Sequence, residues 1–166
     1  MIEMLFRPSL KLAKRMKVSK LVELPLNGNP LGDWSGNIFN VSRTQYIILS
    51  NTKSLYSCLM LAKGITTEQA FVARSLETIH DFMEHDEQPS DVRSLLSNDD
   101  MTDSFAKALS RSVVGSMNDL VFGAKLMLSD GIDEHEVSIR LNETPLKALK
   151  YANPREVFGQ LSHSMG

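Results

Sequence analysis

Three short apolar runs between residues 34 and 61 constrain the fold more than any other feature of the chain. They cover residues 34–41, 45–49 and 55–61, and only a few polar residues separate each run from the next. Runs rich in β-branched and aromatic residues with such short loops predict an antiparallel meander. Because the middle run is apolar on both faces, we expect the sheet to be covered on both sides, at least in part.

The chain before this meander predicts one strand, one helix and one loop. Residues 2–6 are typical of a short strand that Pro8 ends, and a helix follows from Pro8 or Ser9 to about Lys17. Leu10 and Leu12 belong to the apolar side of that helix. Residues 25–32 contain two prolines and two glycines and predict a loop.

Helical patterns dominate the chain after residue 65. A capping box of Thr66 and Gln69 predicts a helix that runs to about His85. The acidic segment 86–104 is expected to be broken or short-helical, and residues 104–109 predict either a strand or the approach to the next helix.

The C-terminal part of the chain predicts a run of helices. Ser110 or Ser112 caps a helix that reaches about Leu128, and Gly131 stops it. Three shorter helices are predicted at residues 132–142, 145–152 and 154–161.

These elements predict an α+β fold in a single domain spanning residues 1–166. The sheet is expected to be small and mainly antiparallel, built from the N-terminal strand and the three-stranded meander, and packed with helices. We expect residues 1–62 to be mainly sheet with one basic helix, residues 66–130 to form helices packed on it, and residues 132–166 to form a short helical extension.

Composition narrows the class of protein without indicating a partner. Hydrophobic residues make up 42% of the chain and charged residues 23%, with a formal net charge of -2, as in ordinary globular proteins. No stretch approaches 20 apolar residues, and the N-terminus lacks a secretory pattern, so we expect no membrane span. The single cysteine, Cys58, suits a reducing compartment and predicts a cytoplasmic protein.

Residues 111–119, RSVVGSMND, form the segment most typical of a binding surface. On a helical wheel, Ser112, Ser116, Asp119 and Gly123 share one side, with Gly115 at its edge and the apolar stripe opposite. A glycine inside a helix costs about 1 kcal/mol relative to alanine. This predicted helix contains two glycines, and the close approach of another backbone or a ligand would explain both.

The sequence therefore predicts one ligand-binding or partner-binding surface. Its candidate residues are Arg111, Ser112, Gly115, Ser116, Asn118 and Asp119, with Trp34 and Asn37 from the first run of the meander. Arg111 would pair with an anionic or carboxylate group beside the free N–H groups of the helix start. The alternative is that this side of the helix packs tightly on the protein's own sheet, and that Trp34 is a core anchor.

No familiar pattern of metal-dependent or covalent catalysis is present. The chain lacks HExxH, paired CxxC, Walker, dinucleotide and nucleophile-elbow motifs. His80 and His85 share a predicted helix but lie about 140° apart around it, so they would not share a ligand. Cys58 is expected to be buried and inert. We expect no cofactor and no metal.

A basic N-terminal segment offers a different type of partner. Residues 1–20 carry six basic residues and one acidic residue, and Arg7, Lys11, Lys14 and Arg15 are the candidate contacts for nucleic acid. The alternative is the solvated face of a short helix that lies towards the acidic segment 68–103. Residues 7–20 contain no aromatic residue for base stacking, which favours the second explanation.

Three blocks of sequence resemble a known family. They are LGDWSGNIF with the strand YIILSN at residues 31–51, RSVVGSMNDL at 111–120, and LNETPLKALKY with Pro154 at 141–154. On these blocks the chain resembles small bacterial proteins that share a domain of unknown function, the DUF6933 type. The resemblance implies an α+β fold and brings no activity or catalytic residue. Residues 142–158 are also similar to the C-terminal tail of some insertion-sequence transposases, which suggests a mobile-element context.

Three hypotheses of function follow from these features. The first is a non-enzymatic binding or interaction module of the bacterial cytoplasm, whose partner is a protein, such as a toxin of a two-component cassette, or a small anionic ligand. The second is an enzyme acting on a phosphorylated or nucleotide substrate, with Asp119 as general base and Arg111 as charge clamp. The third is a nucleic-acid-binding protein. No feature of the sequence indicates the oligomeric state.

Overall fold

A computed structural model describes residues 3–89 and 102–163 and contains a five-stranded sheet. Its strands are β1 (Glu3–Pro8), β2 (Asp33–Val41), β3 (Thr44–Asn51), β4 (Ser57–Leu61) and β5 (Thr102–Phe105). They lie in the order β4–β3–β2–β1–β5. β2, β3 and β4 form the predicted antiparallel meander, whereas β1 runs parallel to both β2 and β5.

The α+β class is thus confirmed, but the sheet is mixed rather than mainly antiparallel. The difference arises at β1, which pairs in parallel on both of its edges. Its register joins Glu3 to Thr102, two residues from distant parts of the chain. Such pairing depends on the path of the connecting segments, which local periodicity does not report.

In the described parts of the chain, five helices cover the two faces of the sheet. They are α1 (Leu10–Arg15), α2 (Glu68–His85), α3 (Arg111–Ser129), α4 (Glu134–Glu143) and α5 (Pro154–His163). Residues of α1, α2 and α5 pack on one face, where Ile47 and Leu49 of β3 point. Residues of α3 and α4 pack on the other face, around Ile48. The apolar character of β3 on both sides therefore indicated a covered sheet correctly.

Two predicted helix boundaries need correction. The cap of α2 is Thr67 rather than Thr66, because Thr67 Oγ1 accepts a hydrogen bond from the Ala70 amide at 3.1 Å. The helix expected at residues 145–152 is only a 3₁₀ turn, Lys147–Leu149. Lys150 and Tyr151 have φ angles of 54° and 67°, which end any right-handed helix there.

Other boundaries agree with the sequence or fall outside the described residues. Ser110 caps α3, its Oγ accepting from the Val113 amide at 3.2 Å. The residues between the end of α2 and β5 were expected to be broken or short-helical, and of these 90–101 lie outside the described residues. No helix in the ranges 3–89 and 102–163 is long and apolar enough to cross a membrane.

The C-terminal helix belongs to the main core. Phe158 of α5 is fully buried, and its ring stacks on Tyr56 with centroids 4.3 Å apart. The same ring meets Trp34 edge-on at 5.9 Å. Phe158 and Leu161 of α5 therefore belong to the same apolar cluster as Trp34 and Tyr56.

Candidate binding groove

A buried arginine organises the surface around the end of β1. Arg7 is 2% exposed, and its Nε and Nη2 atoms donate to the two carboxylate oxygens of Asp33 at 2.9 Å each. Its guanidinium also donates to the carbonyl oxygens of Leu24, Pro25 and Lys107. This bidentate pair and three carbonyls satisfy a buried guanidinium. Arg7 thereby fastens both loops that carry these carbonyls to the sheet.

Next to these loops lies a groove of about 910 Å³. α1, the segment after α1, the residues that follow β5, and the first turn of α3 all contribute to its lining. Besides Pro8, its apolar lining residues are Leu10, Ala13, Val18, Leu21, Ala108 and Val114. Lys14 and Lys107 also line it, and no acidic side chain among the described residues does.

The chain turns at the end of α1, beside the groove. Lys17 follows α1 with a φ of 62°, a left-handed conformation that ends the helix and turns the chain away. Leu10, the first residue of α1, is 82% exposed, and Val114 of α3 is 42% exposed. Grouped apolar side chains with this much exposure are typical of docking surfaces.

A smaller cavity of about 50 Å³ adjoins the groove and shares Pro8, Ser9, Ala108 and Val114 with it. Its lining brings together two residues that the sequence proposed from distant segments. Asn37 of β2 and Asn118 of α3 both line this cavity. The Asn37 side-chain oxygen accepts from the Ile38 amide at 2.8 Å.

The predicted binding side of α3 faces solvent. Arg111, Ser112, Gly115, Asn118 and Asp119 are exposed, and Ser116 is half-buried. A Cβ atom built on Gly115 would meet no atom within 4 Å, so tight packing on the sheet does not explain this glycine. Gly123 differs, because its Cβ would lie 3.8 Å from Leu141 of α4.

Arg111 and Asp119 do not converge on one point. They are separated by eight positions, roughly 12 Å along a helix. Asp119 lines neither the groove nor the adjoining cavity. Neither place therefore brings Asp119 together with Arg111.

Trp34 occupies the core and not the surface. It is 1% exposed, and its Nε1 donates to the Leu31 carbonyl at 2.8 Å. Strand alternation turns its ring to the face covered by α5, where it meets Phe158. The burial of Trp34 supports its interpretation as a core anchor rather than as a binding residue.

The four basic residues proposed for nucleic acid divide into two groups. Arg7 is buried against Asp33, and Arg15 donates to the Ile65 and Ala62 carbonyls and to Gln45 Oε1. Lys11 and Lys14 are exposed. Both arginines are thus used within the fold, which removes half of the proposed positive surface.

Potential metal ligands gather away from the groove. Within the described residues, ligand atoms of His80, Asp81 and Glu84 lie within 4.8 Å of one another on α2. Asp81 and Glu84 are exposed, and an exposed acidic group of this type occurs on many helices. None of the three lines the groove.

Fold and groove together define a small mixed-sheet α+β protein with an apolar, lysine-rimmed surface groove. The family model of DUF6933, a domain of unknown function, matches residues 5–157, and the chain belongs to this family. The resemblance carried by the three sequence blocks is therefore confirmed. No curated protein sequence matches the chain, and no solved structure matches it.

Proposed function

We propose that this protein is a non-enzymatic binding module whose groove takes an acidic, amphipathic peptide segment of a partner protein. The observation that carries the proposal is the lining of the groove, which combines apolar side chains with two lysines and no described acidic residue. The partner is then a protein such as the toxin of a two-component cassette. The similarity of residues 142–158 to transposase tails supports such a setting.

The apolar lining supplies the attraction for such a segment. Leu10 and Val114 are exposed, and covering them with a partner's side chains is worth about 25 cal/mol for each Å² of apolar area removed from water. A groove between helices is also the usual seat for the apolar face of an amphipathic helix. Two or three apolar side chains of a partner would fill it.

Charge favours a carboxylate-bearing partner. Lys14 and Lys107 line the groove, and Lys11 of the same N-terminal segment is exposed. Arg111 begins α3 one turn before Val114. Basic groups around an apolar centre guide an acidic partner and fix its orientation more than they add affinity.

The same lining does not favour nucleic acid. No aromatic side chain among the described residues lines the groove, so bases have no surface on which to stack. An apolar floor also contributes nothing to phosphate contacts. A peptide uses both the apolar floor and the lysines.

Asn37 and Asn118 give the polar end of the proposed site. Both residues line the adjoining cavity, and their side-chain amides would bond the backbone of a bound segment. Ser112 is exposed on the same helix as Asn118, and Gly115 leaves room for a partner's backbone to come close.

Fluorescence anisotropy with labelled peptides tests this proposal. The probe is a helical peptide with leucines on one face and glutamates on the other. Two matched peptides replace the leucines by serine or the glutamates by lysine, and a single-stranded oligonucleotide serves as the competing anion. We expect saturable binding of the first peptide alone. Tighter binding of the oligonucleotide, or equal binding of all peptides, would contradict the proposal.

Substitutions locate the binding to the groove. Val114→Asp and Lys14→Glu should each weaken the leucine–glutamate peptide about tenfold, which is about 1.4 kcal/mol. Leu126→Asp is the matched control, because Leu126 is an exposed apolar residue of α3 that does not line the groove. An equal loss in the control variant would place the site elsewhere on α3.

A further inference from the structure

A separate crevice of about 260 Å³ lies beside β4, the edge strand at one side of the sheet. Five side chains of the types that bind metals line it, including Cys58 of β4. Asp81 and His85 come from α2, and Glu134 and His135 come from the first turn of α4. The two histidines are distant in sequence, so the sequence alone did not group them.

The two imidazole rings stand at the separation expected for a shared ion. The ring centroids of His85 and His135 are 5.2 Å apart, with an angle of 75° between the rings. Two imidazoles on one tetrahedral ion, with Zn–N distances of about 2.0–2.1 Å, have centroids roughly 5 Å apart. Phe82 meets the His135 ring edge-on at 5.8 Å and supports it in this position.

Carboxylates lie beside the two rings, but the ligand atoms of Asp81, His85 and His135 do not all lie within 4.8 Å of one another, so an ion would have to draw the Asp81 side chain towards the histidines. Asp81 lies four positions before His85 and therefore on the same face of α2. Two imidazoles and a carboxylate suit Zn²⁺ and other late first-row dications. Cys58 also lines the crevice, but its side chain is buried in the apolar core, and it is not part of the proposed ligand set.

The cluster of His80, Asp81 and Glu84 is the competing place for an ion. It offers a single imidazole, and all three residues come from one helix. The Asp81 carboxylate lies 3.8 Å from His80 Nδ1 and has to turn to meet His85. Since imidazole ligands favour late first-row ions, the site with two imidazoles is the stronger candidate.

We propose that His85 and His135, with Asp81 as carboxylate ligand, bind Zn²⁺ or a similar dication between α2 and α4. These helices cover opposite faces of the sheet and meet beyond the edge of β4. An ion bound by both α2 and α4 would link the two helical layers. This inference does not depend on the peptide groove.

A titration of the full chain tests the proposal, with Zn²⁺ itself as the probe. The protein is first freed of metal with a chelator and then followed by calorimetric titration and thermal unfolding. We expect one ion per chain. At a hundredfold excess over Kd, the melting temperature should rise by roughly 5–10 °C. Absence of binding would leave the two rings as an aromatic contact and overturn the proposal.

Substitutions distinguish the crevice from the surface cluster. His85→Gln and His135→Gln should each weaken Zn²⁺ binding at least about tenfold. His80→Gln is the matched control on the same helix and should leave the affinity unchanged. Loss in His80→Gln with retention in His135→Gln would assign the ion to the α2 surface and overturn the proposal.

A carboxylate variant keeps the test decisive if a histidine variant folds poorly. Asp81→Asn changes an exposed side chain, so we expect the fold to tolerate it. It should weaken Zn²⁺ binding at least about tenfold if Asp81 is a ligand. An unchanged affinity would remove Asp81 from the proposed ligand set.

Discussion

At the scale of single residues, Arg7 has the largest structural role that the contacts reveal. Its guanidinium satisfies Asp33 and three loop carbonyls at once. Removing one partner of a buried ion pair costs about 3–5 kcal/mol, because the other charge stays buried without compensation. Arg7→Met should therefore lower the free energy of unfolding by about that amount.

Urea denaturation measures this loss. Arg43→Met is a suitable control, because Arg43 is exposed in the turn between β2 and β3, where a substitution changes stability by no more than about 0.5 kcal/mol. If Arg7→Met were as mild as its control, the carbonyl contacts would not hold the two loops to the sheet.

Two buried groups, the Cys58 thiol and the Tyr56 hydroxyl, predict that the protein loses stability at alkaline pH. Burial raises the pKa of Cys58 to about 12, and burial with the Asp86 hydrogen bond raises the pKa of Tyr56 above its ordinary value. Unfolded cysteine and tyrosine ionise at about 8.5 and 10. The folded chain keeps protons that the unfolded chain releases, so the contribution of these two groups is constant below about pH 8 and falls above it.

The Cys58 part of this fall should be about 1.4 kcal/mol per pH unit between the two pKa values. Urea midpoints measured across this range for the natural chain and Cys58→Ala provide the test. The variant should show a shallower fall. Identical slopes in the two proteins would mean that the Cys58 thiol ionises as freely in the fold as in water.

At the scale of elements, the exposed face of α3 has room for a larger side chain at Gly115. Gly115 lies inside this helix, and a Cβ there meets nothing within 4 Å. Gly115→Ala should therefore raise the free energy of unfolding by about 0.5–1 kcal/mol through helix propensity. Thermal unfolding measures the gain, and Gly36→Ala is the contrasting variant, since its Cβ would lie 3.1 Å from Leu12 Cδ2.

Gly115→Ala also informs on the proposed function. In the anisotropy experiment, a loss of peptide affinity in this more stable variant would indicate that the peptide's backbone comes close to Gly115. A destabilised Gly115→Ala protein would instead mean that the folded chain has no room for a methyl group at this position.

Regular elements follow from local patterns, and their assembly does not. Alternation and short turns predicted the meander, and the helical period separated Met117 and Leu120 from the exposed side of α3. The sequence prediction grouped Leu10 with Leu12, yet two positions lie about 200° apart around a helix, so Leu10 is exposed where Leu12 is buried. Burial of Arg7 depends on Asp33 of β2 and on two loops from distant parts of the chain, which no local period reports.

At the scale of the whole molecule, the sites lie where segments distant in sequence meet. The groove combines α1, the residues after β5 and α3, and the crevice combines α2 and α4. The sequence prediction assigned Asn37 and Asn118 to one surface, and both residues line one cavity. His85 and His135 were out of reach, since only the fold sets their distance.

The C-terminal helix offers a test of whether this assembly is one cooperative unit. Tyr56 donates to Asp86 at 2.6 Å, and Arg155 of α5 donates to the same carboxylate at 2.9 Å, which joins α5 to the end of α2. Trp34, the only tryptophan, lies against Phe158 and reports on α5. We expect tryptophan fluorescence and far-ultraviolet circular dichroism to give the same urea midpoint.

Phe158→Ala strengthens this test. Loss of a fully buried phenylalanine should lower the free energy of unfolding by about 3–5 kcal/mol and shift both signals together. A fluorescence change that precedes the loss of circular dichroism would show that α5 detaches before the sheet unfolds. Residues 154–163 would then unfold independently of the sheet, despite the stacking of Phe158 on Tyr56. If the two transitions coincide, α5 and the sheet unfold as one cooperative unit, as their common core predicts.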